Sequence, residues 1–450
     1  MIIRKILQLL KNHILSTVSI IVFIVLLLGI HQGRFEEFLV KVRSTYIDCL
    51  RLHGYEFPYL SFAGLTGDIV EDDKSGKLDE FVNAVQSRYK HIMELEGVTS
   101  CGVPRTISFV CKDDDLCGGL GDRIQGVLST FYLALLTDSQ FKIEWTKPLL
   151  LQEFIVPNSN GIDWISTRIS MDKGKTSVLN YGDTDSSAVI EDSYSMNFLE
   201  QWKRFEKINV HSNQAFWVRL TKNNTWGSEA GKQYQLHQLP ASYLYTIAAR
   251  ILLTTPSNKL LPYINNVTQQ WDAREVYKIG LHMRTGGEGV WNDPKRVNIE
   301  VAVRCFVAEA VSLYEKYVQE HSTPLKPIFF VATDSQSAIQ LLHQEFQKLQ
   351  YDLYFNQGNI THLDRDSAGK LFQDNVRTYS DWFILQQMDA LVITRSGFSE
   401  TVAAMTLKPT RRYISGSECK FIDFAEKLNA DDWYPRYNPV DATDLGRISD

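Results

Sequence analysis

The chain has 450 residues, of which 44% are hydrophobic and 22% are charged, and its formal net charge is −6. These values are typical of globular proteins and exclude wholesale disorder, and the length is sufficient for two folded lobes. The acidic balance argues against nucleic-acid binding through a basic surface, so an anionic substrate has to be held by a few local cations.

The N-terminus carries an uncharged apolar run, ILSTVSIIVFIVLLLGI, at residues 14–30. Its length lies near the lower end of the roughly 17–25 residues that a bilayer-spanning helix needs. Arg4, Lys5 and Lys11 precede the run and favour a cytosolic N-terminus with a lumenal remainder. A cleaved signal peptide is the alternative, but its apolar region is usually shorter. We predict a cytosolic tail at 1–13, a signal anchor at 14–30 and a stem at 31–100.

Cysteines and glycosylation motifs fit a lumenal destination. Six cysteines allow 15 pairings if all are bridged, and the sequence does not choose among them. Cys111 and Cys117 flank an acidic stretch, yet no second cysteine pair or histidine cluster completes a zinc-like ligand set, so we expect no metal. Three sequons predict N-glycosylation at Asn223, Asn266 and Asn359.

From about residue 104 onward, short β-rich runs alternate with helical patterns. The predicted strands cover residues 106–112, 141–145, 277–284, 327–334, 351–356, 389–394 and 411–415. The predicted helices cover 122–136, a segment from Ser335, and a long segment with Ile299, Val303, Phe306, Ala310, Leu313 and Tyr317 on one face. This alternation predicts an α/β fold with a doubly wound parallel sheet, whose ligands bind at the carboxyl ends of the strands.

The first candidate ligand motif is GGLGDR, residues 118–123, between a strand and a helix. Its glycines allow close backbone approach, and the following helix N-terminus favours an anion. It is neither a dinucleotide fingerprint, because Ile124 occupies the position of the third glycine, nor a P-loop. A simple tight turn, with Arg123 in a surface ion pair, is the alternative interpretation.

Three further motifs follow predicted strands. In HMRTGGEG, Arg284 can grip a pyrophosphate, and His282 points to the same side of its strand; a core histidine and a salt bridge are the alternatives. Asp334 ends the strand VATD, where it can bind a ribose or base, or cap a helix. Ser396 and Ser399 begin a helix whose free amides can cradle phosphate, with simple capping as the alternative.

In order and spacing, these motifs resemble the fucosyltransferase superfamily, which includes α1,2-, α1,6- and protein O-fucosyltransferases. Residues 118–145 are similar to a Gly-Leu-Gly-Asn-Arg-type opening motif, particularly that of plant xyloglucan and rhizobial α1,6 fucosyltransferases. Residues 282–284 match a His-x-Arg motif. Residues 331–334, 361–365 and 381–404 follow the arrangement of the α1,6 enzymes' nucleotide-binding half.

The resemblance implies a GT-B architecture with two Rossmann-like lobes. An N-terminal, acceptor-side lobe would cover residues 101–275, and a C-terminal, nucleotide-sugar-binding lobe would cover 276–450. It further implies a glycosyltransferase that moves fucose from GDP-fucose to a glycan hydroxyl with inversion, without a cofactor. With the anchor, it implies a type II protein of the Golgi or ER membrane whose partners are a nucleotide sugar and a glycan or glycoprotein.

The resemblance also assigns roles to residues. Arg284 would bind the diphosphate, His282 would lie beside the nucleotide, and Asp381 and Asp334 would contact the nucleoside. The remaining positions expected at the GDP-sugar are Gly119, Gly121, Arg123, Ser396, Phe398 and Ser399.

The chain departs from the family pattern directly after Arg284. The α1,2 and α1,6 families usually continue with Arg or Gly and an Asp, whereas Thr285-Gly-Gly-Glu288 follows here. Inverting transfer needs a group that takes the acceptor hydroxyl's proton. Glu288 and Asp293 lie in this loop and are the candidate bases, although each can also be a solvated loop charge.

Two kinds of alternative function remain open at this point. Within enzymes, the donor can be another nucleotide sugar, or the acceptor can be a protein hydroxyl. From a different class, the chain can be a membrane-tethered glycan-binding relative that kept the fold and lost activity.

The anchor prediction is tested by protease protection in microsomes. We expect the large C-terminal part to resist protease added from the cytosolic side and to be digested once detergent opens the vesicles, because the charges before the anchor hold the N-terminus outside. Digestion without detergent would contradict the predicted topology.

Overall fold

A computed structural model describes residues 77–94, 105–112, 115, 117–137, 139–159, 161–166, 176–181, 196, 198–202, 205–222, 236, 239, 241–271, 275–286, 296–363, 371–415 and 419–424. The predicted anchor at 14–30, the sequon residue Asn223 and the candidate bases Glu288 and Asp293 lie outside these ranges. Within the described part of the chain, no helix combines the length and apolar character needed to cross a bilayer.

The first lobe is built around a four-stranded parallel sheet. Its elements are α1 (Lys77–Glu94), β1 (Thr106–Cys111), α2 (Leu120–Leu136), β2 (Gln140–Trp145), β3 (Ile155–Val156), β4 (Thr176–Tyr181), α3 (Phe198–Trp202), β5 (Lys207–Ser212), α4 (Trp217–Lys222), α5 (Ala241–Leu252), β6 (Thr255–Pro256) and α6 (Leu261–Thr268). The strand order is β2-β1-β5-β4, so β1 and β5 are the central neighbours. The short strands β3 and β6 pair separately and antiparallel.

The second lobe contains a six-stranded sheet. Its elements are β7 (Val276–Met283), α7 (Ile299–Glu320), β8 (Lys326–Thr333), α8 (Gln336–Lys348), β9 (Leu353–Tyr354), α9 (Phe372–Leu385), β10 (Ala390–Ile393), α10 (Gly397–Thr406), β11 (Thr410–Ser415) and β12 (Lys420–Asp423). The strand order is β12-β11-β10-β7-β8-β9, with only β12 antiparallel. The chain order therefore reverses between β7 and β10, which is the switch point where such sheets bind ligands.

Helix α2 joins the two lobes. All 17 of its residues are buried, which is typical of a helix covered on every side. One side packs on the first sheet, where Gly126 lies against the backbone of Ser212. Another side meets α5 and α10, and Thr246 of α5 donates a hydrogen bond to the carbonyl oxygen of Ala404 in α10 at 2.6 Å. One apolar core thus runs from the first sheet to the near face of the second.

The far face of the second sheet has its own apolar cluster, formed with α7 and α8. The α7 residues that are buried there are Ala302, Val303, Cys305, Phe306, Val307 and Ala310. Of the predicted face, Val303, Phe306 and Ala310 belong to this set, while Ile299 and Leu313 are partly buried against it. The cluster is closed by the Cys305–Cys419 disulfide, which ties α7 to the turn before β12.

The α/β fold with parallel sheets is confirmed and fits a GT-B-like arrangement, but three features differ from the expectations. Helix α1 belongs to the packed first lobe rather than to the stem, because Val85 and Tyr89 are fully buried and the Tyr89 hydroxyl donates to the Ser139 carbonyl at 2.5 Å. Strands β4 and β5 lie in the middle region where few elements were predicted. The antiparallel strand β12 was not predicted either.

Gly126 gives a test of the packing between α2 and the first sheet. A Cβ atom there would lie 2.0 Å from the Ser212 carbonyl oxygen and 2.8 Å from the Phe109 ring. We expect Gly126→Ala to lower the free energy of unfolding by about 1–3 kcal/mol, as overpacking does, measured by urea denaturation. Without this contact, alanine within a helix would instead stabilise the protein by about 0.5–1 kcal/mol, and that result would contradict the proposed packing.

Candidate functional site

A cleft lies between the lobes at the carboxyl ends of β7, β8 and β10. It is lined by the ends of these strands, by the turn after β1 and by residues 359–363 and 377–381. Of the residues predicted from sequence, the structure brings Gly119, Gly121, His282, Arg284, Asp334, Asp381, Ser396 and Phe398 together in its lining. The cleft is therefore where the switch-point rule places a ligand.

Two helix N-termini meet at this cleft. Helix α2 begins at Leu120 and α10 begins at Gly397, and a Cβ atom on Gly121 would lie 2.2 Å from the Gly397 carbonyl carbon. Only glycine at 121 permits this approach. Each helix start presents unsatisfied amides and the positive end of a macrodipole, so the pair favours an anion. On the α2 side the Asp122 carboxylate already accepts a hydrogen bond from the Gly119 amide at 3.0 Å.

Ser396 and Ser399 have different environments. Ser396 lines the cleft as the N-cap of α10, and its side chain makes no capping hydrogen bond. Ser399 is fully buried, and its hydroxyl faces the carbonyl oxygens of Thr394 and Ser396 at 3.5 and 3.4 Å. Its hydroxyl therefore stabilises the turn into α10, which corrects the expectation that Ser399 lines the ligand site.

Arg284 follows β7 and is held by both its backbone and its side chain. Its amide donates to the Thr394 hydroxyl at 2.8 Å, which ties the ends of β7 and β10 together. One guanidinium nitrogen lies 3.1 Å from Asp334 Oδ2, and only 12% of the side chain is exposed. A buried, carboxylate-held guanidinium keeps its charge and its orientation, so it is prepared to bind an anion in the cleft.

Asp334 organises the loop that carries Arg284. Its Oδ1 accepts hydrogen bonds from the Thr285 amide at 2.6 Å and the Thr285 hydroxyl at 2.9 Å, and its Oδ2 accepts one from the Gly286 amide at 3.0 Å. Gly286 has a φ of 107°, a conformation that favours glycine. With the Arg284 ion pair, both carboxylate oxygens are engaged, so Asp334 positions the loop and does not offer a free carboxylate to a nucleoside.

His282 is almost fully buried beside Arg284. Its ring lies 4.9 Å from the Phe398 ring, centroid to centroid. Burial, reinforced by the charges of Arg284 and Arg296, lowers the pKa of His282 to about 3, so the imidazole is neutral at physiological pH. Its buried Nδ1 atom has no hydrogen-bond partner among the described residues. An orphaned polar atom in a cleft wall indicates a place for a ligand.

Asp381 lies in a buried polar network in the wall of the cleft. Its Oδ1 accepts a hydrogen bond from the Asn356 amide at 2.6 Å, and its Oδ2 lies 3.6 Å from Arg377 Nε. Burial raises the pKa of Asp381 to about 6, against smaller lowering effects of the Arg377 charge and of hydrogen bonds from Asn356 and Arg377. The Arg377 guanidinium also donates to the Gly358 carbonyl oxygen at 3.0 Å.

Arg123 does not line the cleft, which corrects its expected role as a ligand contact. It is fully buried, with its guanidinium over the Trp145 ring at 5.1 Å. Its nitrogens donate to the carbonyl oxygens of Gly118, Lys147 and Leu363. Since Leu363 belongs to the second lobe and the others to the first, Arg123 holds the cleft loop at 359–363 against the first lobe.

Sequence reasoning missed several cleft residues. Arg296 and Arg377 both line the cleft and add to the charge of Arg284. Arg377 precedes Asp381 by one helical turn, and this ion-pair spacing is the signal that would have identified it. Arg296 lies in a segment without a periodic hydrophobic pattern, so the sequence gave no signal for it. Its backbone amide donates a hydrogen bond to the Thr285 carbonyl oxygen at 3.0 Å, which places it at the cleft.

The two described sequon residues differ in their surroundings. Asn266 is exposed on α6, and a glycan there would extend into solvent. Asn359 is exposed as well, but it lies at the cleft lining. A glycan on Asn359 would therefore stand at the mouth of the cleft, so the predictions of glycosylation and of ligand binding compete at this position.

The site as a whole can hold an anion at one end. Three arginines and three aspartates line it, so its side-chain charges nearly cancel and local geometry decides where an anion binds. Arg284 is linked through its amide to Thr394, three residues before α10. Asp334 is paired with Arg284, and the Asp122 carboxylate lies beside Gly397. A diphosphate-sized group between Arg284 and the start of α10 would meet both.

Neither a protein-family model nor a curated protein matches the sequence. Among solved structures, the chain is similar to FUT1 of Arabidopsis thaliana, solved as a mutant in complex with GDP, with a TM-score of 0.51 and 13% identity over 82% of this chain and 84% of that one. It is also similar to fucosyltransferase NodZ from Bradyrhizobium, with a TM-score of 0.42 and 13% identity over 71% and 99% of the chains. For POFUT1 in complex with GDP-fucose, the TM-score is 0.34 and the identity is 12% over 67% of this chain and 93% of that one.

The likeness to the plant protein confirms the fold that the resemblance implied. At 13% identity it shows the fold alone. The TM-scores of the other two structures are below 0.5, so these two likenesses do not support the fold assignment.

Asp381 gives a test of the buried network through pH. Because its pKa is raised, the folded protein binds this proton more tightly than the unfolded chain, so the stabilisation is complete below about pH 4 and is lost as the pH rises through about 6. Relative to Asp381→Asn, we expect the wild type to lose on the order of 3 kcal/mol of unfolding free energy between pH 4 and pH 7.5. Urea denaturation at both pH values measures this, and parallel pH dependences would contradict it.

Proposed function

We propose that the protein is a glycosyltransferase that transfers fucose from GDP-fucose to a glycan hydroxyl, with inversion at the anomeric carbon. The observation that carries the proposal is the presence of Arg284 and the α10 N-terminus in one cleft at the switch point of the second sheet. The likeness in fold to FUT1, whose structure holds GDP, supports a guanine nucleotide as the ligand.

At the diphosphate end, Arg284 and the amides at the start of α10 would bind the phosphate oxygens. Negative charge on the diphosphate grows as its bond to the sugar breaks, so a fixed guanidinium and a helix N-terminus stabilise the transition state more than the bound donor. Arg296, exposed at the cleft lining, would add a second cation. In this proposal, Asp334 contributes indirectly, by holding Arg284 and its loop.

Beside the diphosphate end, the orphaned Nδ1 of His282 would hydrogen-bond the nucleotide. A neutral imidazole is suited to this role, because it can donate or accept without adding charge. Phe398 packs beside the imidazole and would shield that contact from water. The network of Asn356, Arg377 and Asp381 would shape the adjoining wall.

We further propose that the protein acts in the secretory pathway as a type II Golgi or ER membrane protein, with the catalytic domain in the lumen. The apolar run at 14–30 and the cations before it support this location. The two described disulfides, Cys111–Cys117 and Cys305–Cys419, suit an oxidising compartment. No cofactor is required in the proposal, since the donor itself carries the leaving group.

The function is tested by incubating the protein with GDP-fucose, GDP-mannose and UDP-galactose and a panel of neutral oligosaccharides and peptides. Fucosyl transfer to an oligosaccharide supports the proposal. Turnover of another donor, or transfer to a peptide hydroxyl, would replace its donor or acceptor, and GDP binding without any turnover would identify a glycan-binding relative instead.

The diphosphate site is tested with Arg284→Ala. We expect GDP affinity measured by calorimetry to fall about 10- to 100-fold, because a charge-assisted hydrogen bond contributes about 1.5–3 kcal/mol. The matched control is Lys348→Ala, which removes an exposed cation paired with Glu345 on α8 and should leave affinity unchanged. Unchanged GDP affinity in Arg284→Ala would show that the diphosphate binds elsewhere.

A further inference from the structure

The first lobe carries a histidine–aspartate pair at the edge of its sheet that faces the cleft. His211 lies near the carboxyl end of β5, and Asp115 follows the neighbouring central strand β1. Asp115 precedes the cleft residue Gly119 by four positions, so the two are at most about 14 Å apart. The pair lies on the first-lobe side of the molecule, and neither of its residues belongs to the lining of the cleft around Arg284.

The pair is fixed in place. His211 Nδ1 lies 3.0 Å from Asp115 Oδ1, and each side chain is 24% exposed. The Asp115 Oδ2 accepts a hydrogen bond from the Lys112 amide at 2.7 Å, and the Asp115 carbonyl oxygen accepts one from Lys147 Nζ at 2.8 Å. The Cys111–Cys117 disulfide closes the turn that contains Asp115.

This geometry determines which nitrogen of His211 can act as a base. In the neutral imidazole, the carboxylate of Asp115 holds the proton on Nδ1, which leaves a lone pair on Nε2. A histidine oriented by a carboxylate in this way is a general base suited to take a proton from a hydroxyl.

Three other described groups are less suited to this role. The lowered pKa of His282 makes it a weak base, and both oxygens of Asp334 are already engaged. Burial alone would raise the pKa of Glu144, but hydrogen bonds from Lys207 and Lys112 lower it overall, so this carboxylate is held as an ion-pair partner.

We propose that His211, rather than Glu288 or Asp293, is the general base of the transfer reaction and that Asp115 is its positioning residue. The inference rests on the proposed function. In the step, the acceptor oxygen forms its bond to the anomeric carbon while the hydroxyl proton passes to His211 Nε2. The bond from the anomeric carbon to the phosphate oxygen breaks, and its electron pair leaves with GDP.

The experiment compares His211→Gln and Asp115→Asn with the control Lys142→Ala. Lys142 lies on β2, and among the described residues its ammonium contacts only the Asp163 carbonyl oxygen. Three rates or affinities are measured: fucosyl transfer to a hydroxyl acceptor from the oligosaccharide panel, fucosyl azide formation from GDP-fucose and sodium azide, and GDP binding. Azide carries no proton, so its attack needs no base.

We expect His211→Gln to lower kcat for hydroxyl transfer at least about 100-fold, with azide reaction and GDP affinity within about twofold of wild type. Asp115→Asn should lower hydroxyl transfer at least about tenfold, and Lys142→Ala should change none of the three. Retained hydroxyl transfer in His211→Gln, or an equal loss of transfer, azide reaction and GDP binding, would overturn the proposal. Wild-type protein that fails to bind GDP would instead refute the proposed function.

Discussion

The close approach of two helix N-termini determines the geometry of this molecule. Gly121 at the start of α2 and Gly397 at the start of α10 come from different lobes, and their backbones are too close for any side chain at residue 121. This contact brings the motif after β1 to the carboxyl ends of β7, β8 and β10. Arg123 strengthens it by binding carbonyl oxygens from both lobes. The cleft exists because these backbones meet.

The charged groups of the site divide into those that build the cleft and those that can meet a ligand. Asp334 is used to hold a loop, Asp381 is held within a buried network, and Arg123 ties the lobes together. Arg284, Arg296 and the α10 N-terminus remain as the positive features at one end of the cleft. His282 is close to them but neutral, so the positive potential there is concentrated on few atoms. A positive potential carried by few groups is consistent with an acidic protein that binds an anionic ligand.

The second lobe was predicted well from the sequence, and the first lobe much less so. Strands β7, β8 and β10 are continuous apolar runs that end in polar residues, so their ends identified His282, Arg284, Asp334 and Ser396. Strand β5 carries half-exposed polar residues at every second position and β4 has an exposed Val178, so neither is a continuous apolar run. The pairing of His211 with Asp115 spans 96 positions and depends on the order of strands in the sheet. The role of Arg123 could not be predicted for the same reason, since its partner Leu363 is 240 positions away.

The continuous apolar core across α2, α5 and α10 has a consequence for how a ligand reaches the site. A wide hinge motion of the two lobes would expose this buried surface to water and would break the contacts around Gly121, at a cost that grows with the area exposed. We therefore expect the lobes to stay together when a ligand enters, with Leu363 of the cleft loop held by Arg123. The molecule is better described as two lobes that share one apolar core than as two lobes that hinge apart.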